Sequence, residues 1–297
     1  MRALSTFACL LACALPCAAQ RDFSQVQVQA QPAGGTVHML EGAGGNVAVS
    51  AGPDGVLMVD SQFAELRERL LAAIAGLHAP ASPRFLLNTH WHPDHVGGNA
   101  GLARRPDGAP GALVVAHAAV RRRLLALPGG DPATLPLLTC ESGLSLHFNG
   151  EEIRLEHVGP AHTDGDAVVW FMGSQVVHLG DVFVSGRFPY VDRASGGDLA
   201  GLTATVAALC ERVPPDWAVI PGHGPLSTPV ELRAFHRMLV ETTALVRASL
   251  EAGRTREEVL AAGLPEEWSS WGWSFISTER WLGQVLDHLQ ATPAAER

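Results

Sequence analysis

The sequence predicts an α/β protein in which two β-sheets pack face to face, with helices outside them and a helical extension at the C-terminal end. Three observations support this. Several apolar runs of strand length precede a segment of helical periodicity, and this order occurs twice along the chain. Of the 297 residues, 47% are hydrophobic, so the chain can bury a large core. Only 17% are charged, which is too few for a disordered protein.

The first half of the chain opens with strand-like segments separated by glycine-rich turns, which indicates an antiparallel start to the sheet. Helical periodicity follows, and then further apolar runs. The predicted strands are 37–40, 46–50, 55–60, 85–88 and 113–116. The predicted helices are 63–77 and 118–126, and 129–136 is predicted to be a loop.

The second half repeats this order and adds a helical tail. The predicted strands are 144–148, 153–157, 168–171, 175–179 and 218–220, and the predicted helices are 198–212, 229–250, 255–262 and 277–289. We divide the chain into a leader at 1–19, a catalytic domain at 20–245 and a C-terminal helical extension at 246–297. The extension holds Trp268, Trp271, Trp273 and Trp281, which either dock the tail helices or form a substrate wall.

The first residues have the pattern of a secretory signal. Met1 and Arg2 precede an apolar stretch to Leu15, and small residues follow before a cut near Ala19. We therefore expect a periplasmic or secreted protein, with no integral membrane segment after signal cleavage, because no other apolar run approaches the roughly 20 residues of a membrane span. The sequence Leu-Leu-Ala-Cys ending at Cys13 also resembles a lipoprotein box, so a lipid tether is the alternative.

Only two of the five cysteines, Cys140 and Cys210, should survive removal of the leader. In an oxidising compartment they either pair or act as small buried hydrophobes. Neither adjoins a candidate metal-binding motif, so neither is assigned as a ligand or nucleophile.

The charge pattern disfavours a nucleic-acid partner. The formal net charge is −9 and every cation is arginine, because the sequence has no lysine. One basic triplet, 121–123, is interpreted as the solvated face of a helix. The expected partner is therefore a small-molecule substrate.

One short segment carries the strongest chemical signal. His90, His92, Asp94 and His95 lie within six positions, directly after the predicted strand 85–88. In an extended loop His90 and His92 point the same way and can share one ion, while Asp94 and His95 can face a second. Neutral imidazole together with carboxylate favours a divalent ion such as zinc. The segment therefore predicts a metal site.

Three further polar corners lie beside apolar runs. His162 and Asp164 precede the strand-like run that begins at Ala167, Asp181 ends the run that begins at Val176, and His223 follows the run that begins at Trp217. Each corner alone is weak evidence for a metal site, but the three together, in this order, are a specific signal for one. They are the expected source of further ligands.

In these motifs the chain resembles the metallo-β-lactamase superfamily, over roughly residues 35 to 225. The resemblance implies the αβ/βα four-layer sandwich known as the metallo-β-lactamase fold, with two Zn²⁺ ions at one edge between the sheets. It implies that His90, His92 and His162 hold one ion, that Asp94, His95 and His223 hold the other, and that Asp181 bridges them. Lactamases with a cysteine ligand carry it at the position of Asp181, so this chain is more similar to the glyoxalase II, lactonase and phosphodiesterase branches.

The expected function is that of an exported zinc-dependent hydrolase, in which a metal-bridging hydroxide attacks a small carbonyl substrate such as a β-lactam, a lactone or a thioester. Asp94 is the expected catalytic residue, since it would hold an ion and orient the hydroxide. The alternative is a mononuclear iron persulfide dioxygenase of the same superfamily. A non-catalytic metal-binding protein is a third hypothesis.

The loop after Asp181 is the expected site of substrate choice. Arg187 is predicted to pair with a substrate carboxylate, and Tyr190, the only tyrosine, to donate to a developing oxyanion; for both, a merely structural role is the alternative. Thr163, Asp164 and His178 are candidate hydrogen-bond partners of the metal histidines. For His178 the alternative is a histidine packed at a strand end.

Overall fold

Two β-sheets form the centre of the computed structural model, which describes residues 21–104 and 108–291. The first sheet has seven strands in chain order, antiparallel from β1 to β4 and parallel from β4 to β7. Its strands are β1 (Gln29–Gly34), β2 (Val37–Glu41), β3 (Val47–Gly52), β4 (Gly55–Val59), β5 (Pro83–Asn88), β6 (Leu113–His117) and β7 (Leu138–Cys140).

The second sheet has five strands, in the order β12-β11-β10-β9-β8. The pair β11 and β12 is parallel and the other neighbours are antiparallel. Its strands are β8 (Gly143–Phe148), β9 (Glu151–His157), β10 (Ala167–Phe171), β11 (Val176–His178) and β12 (Ala218–Ile220).

Helices cover the outer faces of both sheets. They are α1 (Arg67–Ala75), α2 (Pro93–Val96), α3 (Asn99–Ala103), α4 (Ala118–Ala126), α5 (Leu199–Arg212), α6 (Pro229–Glu251), α7 (Arg256–Ala262), α8 (Glu266–Ser269) and α9 (Thr278–Ala291). Single turns of 3₁₀-helix occur at Ala64–Leu66, Pro132–Thr134, Gly180–Val182 and Arg193–Ser195.

Alternation along the strands produces the four layers. In β10, Val169 and Phe171 point into the core between the sheets, while Val168 and Trp170 pack with α5, α6 and α9. In β4, Leu57 points into the core between the sheets, whereas Val56 and Met58 pack against α1. A helix layer thus lies on each side of the paired sheets, and the predicted four-layer αβ/βα sandwich is confirmed.

The structure differs from the predicted elements in several places. Strands β1 and β7 were not predicted; both lie at the edges of the first sheet and carry exposed residues, so the apolar signal is weak. The predicted helix 63–77 begins with a 3₁₀ turn and ends at Ala75. The helices α2 and α3 have four and five residues, too short for a periodicity signal. The predicted loop 129–136 contains a 3₁₀ turn.

The C-terminal helices share one core with the second sheet. Trp281 on α9 is fully buried, stacks on Phe188 at a centroid distance of 5.6 Å and donates from Nε1 to Thr242 Oγ1. Trp268 is buried in the same cluster, and Trp271 packs against it. Docking is therefore the role of these three tryptophans, whereas Trp273 lines a cavity described below. The proposed boundary after residue 245 lies inside α6.

Within the described residues, the structure shows the state of the two cysteines and the surroundings of the basic triplet 121–123. Cys140 and Cys210 are both free thiols, so they do not pair, and burial raises the pKa of each. The interpretation of 121–123 as a solvated face holds only for Arg122, which is exposed. Arg123 forms a bidentate ion pair with Asp164, with both N–O distances at 2.7 Å.

The predicted leader at 1–19, with Cys13, lies outside the described residues. Among the helices that the structure describes, none combines the length and the apolar character needed to cross a membrane.

Candidate metal centre

Seven metal-competent side chains converge at one edge of the sandwich, where strands of both sheets end. His90 follows β5, Asp181 lies in the 3₁₀ turn after β11, and His223 follows β12. Each of these strands has a parallel neighbour, and the carboxyl ends of parallel strands meet at one edge of a sheet. The other four are His92, Asp94, His95 and His162. Residues distant in sequence are thus brought to one place.

The first group consists of three histidines and one carboxylate. His92 Nδ1 lies 3.1 Å from His90 Nε2 and 2.8 Å from His162 Nε2. A tetrahedral zinc ion with Zn–N bonds of about 2.0–2.1 Å would set its ligand nitrogens roughly 3.3 Å apart. Asp181 Oδ2 is 3.6 Å from His162 Nε2 and 4.0 Å from His90 Nε2. These four donors therefore fit around one ion.

The second group consists of Asp94, His95 and His223. His223 Nε2 lies 3.5 Å from Asp94 Oδ2 and 3.4 Å from Asp181 Oδ2, and His95 Nε2 lies 3.1 Å from Asp181 Oδ1. The carboxylate of Asp181 thus stands between the two groups. This is the arrangement expected for a bridging ligand.

Two buried atoms at the centre have no hydrogen-bond partner. They are His95 Nε2 and Asp181 Oδ1, which lie close together but are not aligned for a hydrogen bond. An unsatisfied buried polar group is costly, and in native proteins it commonly marks the site of a bound ion or water molecule. Metal coordination would satisfy both atoms, so the donor set fits a metal ion.

The outward-facing ring nitrogens of four histidines have acceptors, which fixes which nitrogen faces the centre. His92 Nε2 donates to Asp192 Oδ2 at 2.9 Å, and His162 Nδ1 donates to the carbonyl oxygen of Tyr190 at 2.6 Å. Such bonds set the tautomer and the ring orientation of a metal ligand. The lone pairs of His92 Nδ1 and His162 Nε2 are therefore left for the metal.

Asp60 supports the remaining two histidines of the 90–95 loop. Its Oδ2 accepts from His95 Nδ1 at 2.7 Å and from Thr89 Oγ1 at 2.7 Å. Thr89 Oγ1 in turn lies 3.0 Å from His90 Nδ1. Asp60 is fully buried and holds a backbone φ of 64°, a strained value for a residue that is not glycine. One carboxylate therefore orients a ligand in each group.

In the first group, electrostatics favour the protonation states that bind metal, whereas in the second group the nearby carboxylates of Asp181, Asp60 and Asp94 raise the pKa of His95 despite its burial. Burial lowers the pKa of His90 well below its ordinary value and that of His162 to about 4, so both imidazoles are neutral near pH 7. Burial opposes ionisation of Asp181, but His223 and His95 hold the pKa of that carboxyl well below its usual range. Neutral imidazole and ionised carboxylate are the ligand forms.

Two glycines make room for the ligands. A Cβ atom at Gly45 would overlap the His95 ring, and one at Gly222 would overlap Asp181 Oδ1. The backbone therefore passes close to the donors of both groups, which only glycine permits.

A cavity of about 660 Å³ opens above the centre. The metal-competent residues that line it are His92, Asp94, His162, Asp181 and His223. Its other lining residues are Arg21, Glu41, Gly42, Gly44, Asn46, Phe63, Pro93, Arg187, Tyr190, Gly224, Trp273, Ser274 and Phe275. The volume suits a small organic molecule in contact with both groups.

The two predicted substrate residues both lie at this cavity. The guanidinium carbon of Arg187 stands 5.1 Å from the centroid of the Trp273 ring. The Tyr190 ring lies 6.3 Å from that of His92 and 6.1 Å from that of His162. Burial raises the pKa of Tyr190, so its hydroxyl keeps a proton to donate near neutral pH.

The three predicted partners of the metal histidines are wrong. Thr163 bonds to Asp166, and Asp164 pairs with Arg123. His178 Nε2 donates to the carbonyl oxygen of Asn46, so it is a buried histidine packed at a strand end.

The supporting residues found instead are Asp60, Thr89, Asp192 and the carbonyl group of Tyr190. Asp60 ends an apolar run with a carboxylate, which is the signal that identified Asp181. Asp60 could therefore have been identified from the sequence. Asp192 carries no comparable signal.

Comparison with known families agrees with the fold. The model of the metallo-β-lactamase superfamily matches residues 40–231 of this chain. This range includes all seven metal-competent residues.

Among curated proteins, the chain is similar to a hydroxyacylglutathione hydrolase of Anaeromyxobacter dehalogenans strain 2CP-C, with 31% identity over 153 residues, or 51% of each chain. It spans about half or less of the length of the curated relatives that it matches.

Among solved structures, a metallo-β-lactamase from Pontibacter korlensis has a TM-score of 0.59 and 18% identity, covering 72% of this chain and 99% of that one. A double mutant of the sec-alkyl sulfatase PisA1 has a TM-score of 0.66 and 15% identity, covering 92% of this chain and 52% of that one. At such low identities these structures show the fold alone.

Proposed function

The chain belongs to the metallo-β-lactamase superfamily, and from this membership we propose that it is a zinc-dependent hydrolase of a small carbonyl compound. One observation carries the proposal: Asp181 stands between two groups of histidines and carboxylates at the base of an open cavity. The fold alone would not suffice, because one fold hosts many activities.

We propose a place for each of two ions. His90, His92 and His162 would hold one zinc ion, Asp94, His95 and His223 the other, and Asp181 both. When bound, zinc lowers the pKa of a water molecule in contact with it to about 7 and polarises a carbonyl oxygen.

Three side chains at the cavity would orient the water and bind the substrate during hydrolysis. Asp94 lines the cavity and places Oδ2 4.0 Å from His95 Nε2, so this carboxylate can orient the attacking water and accept its proton. The Tyr190 hydroxyl would donate to the oxygen on which negative charge develops. Arg187 would pair with a carboxylate of the substrate.

We place thioesters first among the substrates, and lactones and β-lactams after them. The support is the low-identity likeness to hydroxyacylglutathione hydrolases, together with an aspartate rather than a cysteine at position 181. The competing hypothesis is a mononuclear iron dioxygenase acting on persulfides, which needs only one occupied group.

Metal analysis and a substrate panel test the proposal together. The purified chain is stripped with a chelator, reloaded with zinc and assayed with a glutathione thioester, a homoserine lactone and a penicillin. We expect two zinc ions per chain and turnover of the thioester that is lost in Asp181→Ala. A protein that holds a single iron and consumes oxygen with a persulfide would overturn the hydrolase in favour of the dioxygenase.

We also propose that the protein is exported, on the support of the charged, apolar and small-residue order in its leader. A periplasmic or secreted location follows if the leader is cut near Ala19, and a lipid-tethered one if Cys13 is acylated.

A further inference from the structure

The segment that joins α8 to α9 is fixed against the loop that follows Asp181. Phe188 N donates to the carbonyl oxygen of Trp271 at 3.0 Å, and Trp273 Nε1 donates to the carbonyl oxygen of Phe188 at 3.0 Å. Ile276, at the other end of the segment, is fully buried in the core. The rings of this segment are therefore held in place by contacts outside the cavity.

Three rings form a continuous surface, which we call the aromatic wall: Tyr190, Phe275 and Trp273. The Phe275 centroid is 5.8 Å from that of Tyr190 and 5.6 Å from that of Trp273, with both pairs edge to face. At one end Tyr190 lies beside the first ligand group. At the other, Trp273 lies 5.8 Å from the ring of His223. The wall thus runs beside the metal centre from one group to the other.

The middle of the aromatic wall is exposed to the cavity. Phe275 leaves 44% of its surface accessible although its ring lies between two aromatic neighbours and the guanidinium carbon of Arg280 stands 4.5 Å from its centroid. A fixed, exposed apolar ring that lines a cavity is typical of a binding surface for an apolar group.

Two positive charges lie next to the wall: Arg280 stacks on Phe275 and Tyr190 without lining the cavity, and Arg187 lines the cavity. The Arg187 guanidinium stacks on Trp273, and no carboxylate comes within 4.0 Å of it among residues 21–104 and 108–291. The other ionised residues at the cavity, outside the metal centre, are Arg21 and Glu41, whose charges are opposite. Arg187 therefore lacks a countercharge that a bound anion would supply.

We propose that the substrate carries an aromatic group and a carboxylate, and that the aromatic wall binds the first while Arg187 binds the second. The inference rests on the proposed hydrolysis and names its substrate class, an arylalkanoyl thioester with an acidic thiol half. Water adds to the carbonyl carbon, the C–S bond breaks, and the leaving sulfur takes one proton of the water to become the thiol, while the carboxylic acid product releases the other as it ionises. Selection of the aromatic group is thus a function of the C-terminal segment.

Matched thioesters of 3-mercaptopropionate test the wall. The zinc-loaded full chain is assayed with the acetyl and the phenylacetyl thioester, in wild type, Phe275→Ala, Trp273→Ala and the conservative variant Trp273→Phe. We expect the wild type to prefer phenylacetyl, and the ratio of the two kcat/KM values to fall about tenfold in both alanine variants, mostly through KM. Trp273→Phe should retain most of the preference.

The control is Leu137→Ala, which removes a 74% exposed side chain outside the cavity and should leave the ratio unchanged. A preference that is absent in wild type, or that survives both alanine variants, overturns the inference while leaving the hydrolase intact.

If none of the thioesters is hydrolysed, a binding measurement tests the aromatic wall directly. N-phenylacetyl-β-alanine and N-acetyl-β-alanine, the two acids in which an amide replaces the thioester, are titrated by calorimetry into the full chain treated with chelator. Tighter binding of the phenylacetyl amide, weakened about tenfold by Phe275→Ala and lost with Arg187→Ala, supports the wall even if the proposed hydrolysis fails. Equal affinity for the two acids in wild type overturns it.

Discussion

Asp60 Oδ2 lies 2.7 Å from Nδ1 of His95, and both residues are fully buried. Because Thr89 connects the same carboxylate to His90, one side chain behind the metal centre orients a ligand in each group. Asp60→Asn replaces one accepting oxygen by an amide donor, so we expect zinc affinity to fall about 10- to 100-fold. Competition with a chromogenic chelator measures it.

The matched control is Asp198→Asn, because Asp198 caps α5 and contacts none of the seven ligands. Equal zinc affinity in Asp60→Asn and wild type would contradict the orienting role.

The bridging position of Asp181 predicts an asymmetry between two variants. Asp181→Ala removes a donor from both groups and should weaken both ions, whereas His95→Ala should mainly empty the second group. Zinc content per chain, measured after dialysis against a series of buffered zinc concentrations, separates the two results. Two ions retained at wild-type affinity in Asp181→Ala would rule out the bridge.

Removal of the Arg187 charge should lower kcat/KM for substrates that carry a carboxylate and leave it unchanged for uncharged ones. A lost charge-assisted contact costs about 1.5–3 kcal/mol, so Arg187→Ala should lower kcat/KM for a penicillin roughly tenfold to over a hundredfold and spare an uncharged lactone. Arg237→Ala is the control, because Arg237 stacks on Trp268 in the same way but outside the cavity. An equal loss on charged and uncharged substrates would mean that Arg187 is structural.

A pair of charges far from the metal centre should make stability depend on pH. Two hydrogen bonds from Arg212 hold the pKa of Glu156 below its ordinary value of 4.5. The folded state therefore favours the ionised form, and this stabilisation is present above about pH 4.5 and is lost as the pH falls through the lowered value. Because the pair is partly exposed, we expect Glu156→Gln to cost about 0.5–1 kcal/mol at pH 7 and less at pH 3.

Urea unfolding at both pH values measures the difference. The control is Glu267→Gln, whose partner Arg237 is more exposed and whose loss should change little at either pH. A Glu156→Gln effect of the same size at pH 3 and pH 7 would contradict the ionic origin.

Export predicts the mass of the mature chain. Expression in a host with a periplasm should give a protein that begins close to Gln20, because the small residues before this position form a cleavage site. Intact mass spectrometry provides the readout. An unprocessed chain would refute export, and a lipid on Cys13 would indicate a tether.

The metal-competent residues could be predicted from the sequence better than the residues that hydrogen-bond to them, for a physical reason. His90, His92, Asp94 and His95 are close in sequence, so their spacing is visible without a fold. The contact between His92 and Asp192 spans 100 residues and depends on how the loop after β11 folds back. Similarly, helix α4 was predicted with its bounds, whereas edge strand β7 lacks the buried residues that give a strand its apolar signal.

The position of Trp273 has a consequence for local unfolding. All seven metal-competent residues lie between residues 90 and 223, but two rings of the aromatic wall belong to the last part of the chain, which α9 anchors through Trp281. Peripheral helices can open at a lower free energy than the global transition. Amide hydrogen exchange in 271–291 should then outpace exchange in β10 and β11. Mild heating would thus relax substrate selection while the histidine cluster still held its ions.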